Sequence, residues 1–149
     1  MTPDEYFHTI AEPTVAEFLA EPTSVRRALL ACMACYHVID ALAVQRAMKP
    51  EQIYPEMVAQ QPSLLVIKAV ALLAKHVQPT QSGFDETRFN HLNPDLGAAF
   101  SDGAYFDDGS TWADMPEVVV LESPDFSKTD LTHALQEVMA FWKKMTAEA

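Results

Sequence analysis

Apolar positions in the first half of the chain recur at helical spacing. Between Pro3 and Leu19, the residues Tyr6, Phe7, Ile10, Val15, Phe18 and Leu19 follow it for most of the segment. Pro13 stands inside that pattern and is expected to kink or split the helix, because it lacks a backbone donor and crowds the preceding turn. Glu21-Pro22-Thr23-Ser24 is a break, with Thr23 or Ser24 placed to cap the next helix. From about Val25 to Met48 the pattern predicts one long helix. Val25, Leu29, Met33, Tyr36, Asp40 and Ala43 form its stripe, and Leu30, Val38, Leu42 and Val44 widen the apolar surface. A helix apolar on so many sides belongs at the centre of a bundle. Lys49-Pro50 ends it. A short helix over Glu51–Ala59, weakened by Pro55, comes next, and Pro62 suits the first turn of a third long helix running to about His76.

The second half is patterned differently. Residues 78–96 read as a loop, with Pro79, Ser82, Gly83, Asn90, Asn93 and Pro94. Across about 97–123, Phe100, Tyr105, Phe106 and Trp112 alternate with the turn dipeptides Asp102-Gly103 and Asp108-Gly109, followed by the β-branched run Val118-Val119-Val120. These features predict a small antiparallel β-hairpin. Ser127-Lys128-Thr129-Asp130 fits the entry to a last helix, with Leu131, Leu135, Val138, Trp142 and Met145 on one buried face. The expected fold is therefore mainly α: one domain over 1–149, an up-and-down four-helix bundle with a β-hairpin inserted before the last helix. Such a hairpin is too small to stand alone and must pack on the bundle or on another subunit.

Composition narrows the function classes. The chain has 149 residues, a net charge of −11 and only two cysteines, Cys32 and Cys35. No stretch reads as the roughly 20 apolar residues that span a bilayer, and no basic, then apolar, leader opens the chain. A cytoplasmic protein without membrane contact is the expectation. Residues 1–25 hold acids and no Lys or Arg, and 85–130 hold many acids against Arg88 and Lys128. Such a surface repels phosphate, which argues against general nucleic-acid binding. No phosphate-cradling glycine loop, dinucleotide fingerprint, zinc-protease helix or nucleophile elbow occurs, so no cofactor is expected.

A few side chains stand out against that background. Cys32 and Cys35 are spaced C-x-x-C but lie mid-helix, far from the helix N-terminus that activates a thiol, and read as core residues. His37 and Asp40 are three apart and share a helix face. Joined by His76, they could bind a divalent metal or move protons; on the plainer reading His37 and Asp40 pair with each other. Arg27, beside Arg26 at the start of the second helix, could anchor a phosphate or pair with Glu17 or Glu21.

Two segments carry a family resemblance: Arg27 through Cys32, Cys35, Tyr36 and His37 to Asp40, and Leu65-Val66-Ile67-Lys68 through Lys75-His76-Val77. Together with the helix layout they resemble the HEPN-like helical proteins of bacteria. That resemblance implies a homodimer, and in active members a metal-independent ribonuclease in which histidine handles protons and arginine steadies phosphate. Candidate catalytic residues on that model are His37, His76, Arg27, Lys68 and Lys75. The motif itself is missing: no arginine stands five to seven residues before a histidine, and Lys128 to His133 keeps the spacing with a poorer phosphate partner. The expectation is a non-catalytic interaction protein of a stress or defence system, with Tyr105, Phe106 and Trp112 at its interface. A divergent nuclease and a metal-binding domain are the alternatives.

Overall fold

The computed structural model describes residues 1–75, 92–96, 117–121 and 129–147, with side chains at 1–72 and 129–147. It is mainly helical. The elements are α1 (Pro3–Tyr6), a wider π-helical stretch (Phe7–Ala11), α2 (Glu12–Ala20), α3 (Val25–Tyr36), α4 (Val38–Gln45), α5 (Pro50–Gln60), α6 (Leu64–Lys75), β1 (Leu92–Leu96), β2 (Glu117–Leu121), β3 (Thr129–Asp130) and α7 (Leu131–Ala147).

The first helix opens on a reciprocal cap, in which Glu5 N–H donates to Thr2 Oγ1 and Thr2 N–H donates to the Glu5 carboxylate, at 3.1 and 2.8 Å. Pro13 disturbs the helix as its position suggested. Just before it, Glu12 N–H donates to the Phe7 carbonyl, five residues back. One residue more in the turn accommodates a ring that would otherwise press on the carbonyl four positions earlier. Thr14 Oγ1 donates to the Ile10 carbonyl at 2.6 Å. Ser24 caps α3 by accepting from Arg27 N–H, and Asp130 caps α7 by accepting from Thr132 N–H at 2.7 Å.

The predicted helix over Val25–Met48 is not one helix. It breaks at His37, which ends α3 and begins α4. The last four carbonyls of a helix have no partner within it. Here two of them lie inside the molecule and are taken by side chains from elsewhere. The Tyr6 hydroxyl donates to the Ala34 carbonyl at 3.3 Å, and the Trp142 indole Nε1–H donates to the Cys35 carbonyl at 3.0 Å. Trp142 is fully buried, so its only polar side-chain atom needs that acceptor.

The buried face of α3 also differs from the expected stripe. Ala28, Ala31, Cys32, Ala34 and Cys35 are its buried residues, while Val25, Leu29, Met33 and Tyr36 are partly exposed. Small side chains let α2 and α6 approach α3 closely, and α3 packs on both and on α7. Leu30 and Val44, expected to widen the core, face outward. By length and apolarity Val25–Gln45 does qualify as a membrane span, contrary to the sequence reading, but half of it is buried against the rest of the chain. A central core helix meets the same criterion.

The break after α4 is tighter than Lys49-Pro50 alone suggests. Met48 N–H donates to the Ala43 carbonyl at 2.9 Å and Ala47 N–H to the Val44 carbonyl at 3.2 Å, with Ala47 at φ 52°. This is a Schellman closure with alanine in the left-handed position that glycine favours. At the entry to α6, the Ser63 hydroxyl donates to the Glu137 carboxylate of α7. That carboxylate lies 3.3 Å from His133 Nε2 and sits favourably at the positive end of the α6 dipole.

The β element is antiparallel, as expected, with strand order β1-β2-β3. Its first strand is displaced from the expected hairpin. Leu92–Leu96, read as loop, is β1 and pairs with β2, Leu92 opposite Leu121 and Leu96 opposite Glu117. Pro94 is tolerated because β1 is an edge of the described sheet. The dipeptides Asp102-Gly103 and Asp108-Gly109 lie outside the described residues.

Two consequences are measurable. Ala47→Gly should raise stability by about 1 kcal/mol, because it relieves a left-handed alanine; urea unfolding midpoints of the two proteins decide it. Tyr6→Phe and Trp142→Phe should each destabilise by about 1–3 kcal/mol by leaving a buried carbonyl without its donor, and together by less than the sum if both act on one helix end. A double-mutant unfolding cycle reads this.

Candidate functional site

The strongest concentration of chemistry-bearing side chains lies where α3 gives way to α4. His37 Nδ1 and Asp40 Oδ2 are 2.5 Å apart, and both side chains are partly exposed. The pairing arises from the local backbone. His37 is the residue at which the helix restarts, and Asp40 is in the first turn of α4, three positions on. The sequence placed these two on one face, and the structure joins them.

Tyr36 adjoins the pair, Tyr6 lies near Asp40, and Tyr54 joins through Tyr36. Tyr36 lies against His37, with ring centroids 5.9 Å apart, and meets Tyr54 of α5 edge-to-face at 6.1 Å. Lys68 of α6 places its ammonium 4.1 Å from the centre of the Tyr54 ring. Tyr6 reaches the same region from α1. Burial pushes the Tyr36 hydroxyl upward, and the charges of Asp40 and Glu51 add to the effect. Tyr6 is raised by burial first and by Asp40 second. Tyr54 is pushed up to about 12, mainly by burial and then by Tyr36. Its hydroxyl oxygen is buried and has no hydrogen-bond partner among the described residues. The three phenols therefore stay protonated across the physiological range, and Tyr6 serves as a neutral donor.

The remaining candidates are distributed elsewhere. Arg27 Nη1 bonds the Glu21 carboxylate at 2.9 Å and the Glu17 backbone carbonyl at 3.1 Å, so of the two acids named from sequence Glu21 supplies the charge and Glu17 only a carbonyl. Ten positions separate Arg27 from His37, roughly 15 Å along a helix, so the two do not share a centre. Lys68 does join the His37 neighbourhood, through Tyr54 and Tyr36. Lys75 closes α6. His76, Tyr105, Phe106 and Trp112 lie outside the described residues, as does Lys128. Among the described residues no three His, Cys, Asp or Glu side chains form a group that could hold a metal ion. Cys32 and Cys35 are fully buried free thiols, and burial pushes Cys35 up to about 12 and Cys32 upward as well. As thiols rather than thiolates they are poor nucleophiles.

Sequence reasoning missed Tyr54 and the parts played by Tyr6 and Trp142. The available signal was weak: an aromatic residue with a polar tip on a buried face needs a partner for that tip, but the sequence does not say where the partner lies.

In chemical terms the arrangement offers a carboxylate-oriented imidazole, a cation resting on an aromatic face and neutral phenols. Compared with family models, curated proteins and solved structures, the chain matches none.

The Tyr54 hydroxyl yields a prediction with a definite sign. A phenol whose folded pKa is raised contributes stability that is complete below its unfolded pKa of about 10 and is lost as pH climbs through the folded value. Stability should therefore fall between about pH 10 and about pH 12. Tyr54→Phe should flatten that fall. At neutral pH it should be neutral or stabilising, since it removes an unpartnered buried hydroxyl worth about 1–3 kcal/mol of desolvation. Chemical unfolding at pH 7 and across the alkaline range tests both parts; a clear loss of stability at pH 7 would refute the second.

Proposed function

We propose that this chain is a non-catalytic, HEPN-like interaction protein, an up-and-down helical bundle that works as a homodimer with a protein partner in a bacterial stress or defence system. The observation that carries the reading is the state of its cations. A phosphodiester in a nuclease site needs a free guanidinium or ammonium to steady it. Arg27 is held by Glu21 and the Glu17 carbonyl, and Lys68 rests over Tyr54. The net charge of −11 adds a field that repels a polyanion. The resemblance in the segments around His37 and Lys68 supports the family, and the missing arginine–histidine spacing supports loss of catalysis.

One observation favours a second reading, a divergent metal-independent ribonuclease. His37 engages Asp40 through Nδ1, the arrangement in which a carboxylate orients an imidazole for proton transfer.

Induced expression in bacteria, followed by RNA integrity and growth, separates the two. The interaction protein leaves both unchanged, and purified chain elutes at twice its 16.5 kDa mass under light scattering. Trp112→Glu should then lower that mass to one chain without unfolding the helices by circular dichroism. Growth arrest with RNA cleavage that His37→Ala abolishes would overturn the proposal in favour of the nuclease. A monomer at micromolar concentration would remove the homodimer from it.

A further inference from the structure

We draw no further inference here: the strongest candidate, the Tyr36–Tyr54–Lys68 cluster with its unpartnered Tyr54 hydroxyl where α3, α5 and α6 meet, belongs to the site already described, and nothing in the structure shows what ligand would complete it.

Discussion

The carbonyl end of α3 lies inside the molecule, and the arrangement of the helices depends on satisfying it. A helix that ends in water loses little, because water donates to its orphan carbonyls. One that ends in a core leaves polar acceptors that cost about 1–3 kcal/mol each when unpaired. Tyr6 and Trp142 supply the donors, at 3.3 and 3.0 Å. They come from the first and last helices of the chain, so the N- and C-terminal segments are tied to the same helix end. Trp142 also fills the core beside it, with Leu131, Leu135 and Val138 on the same face of α7. One indole provides both apolar volume and the hydrogen bond.

The break at His37 makes the neighbourhood of the candidate site. A continuous helix through Val25–Gln45 would carry α4 straight on from α3. With the helix interrupted at His37, α4 packs against α1 and α5. Beside the interruption Tyr36 meets Tyr54 of α5, and His37 and Asp40 stay partly exposed. At this interruption an imidazole and a carboxylate reach water while their neighbours stay in the core.

The same constraint bears on the cations. In a chain so acidic, an arginine or lysine readily finds an acid or an aromatic face within reach. Arg27 stands where the positive end of the α3 dipole would repel it, and Glu21 offsets that repulsion. Lys68 would otherwise sit on a mostly buried helix, and the Tyr54 ring gives its charge a favourable contact. Both contacts engage the cation's charge within the fold.

The sequence by itself determined which segments are helical, a cap at Thr23 or Ser24, the helix entry over Ser127-Lys128-Thr129-Asp130, the disturbance at Pro13, the Val-rich strand and most of the buried face of α7. Each depends on neighbours within a turn or two, through periodicity, backbone donors or ring sterics. The His37–Asp40 pairing was legible for the same reason, since three positions on a helix fix proximity. Only the tertiary structure decided that the central helix breaks at His37, that alanines and cysteines rather than the larger residues face its core, and that Leu92–Leu96 is a strand. These depend on partners far away in sequence: Tyr6 and Trp142 for the break, α2 and α6 for the small-residue face, and Glu117–Leu121 for the strand. Local pattern records what a segment can bury, whereas the identity of the partner that buries it is set by packing across the whole chain.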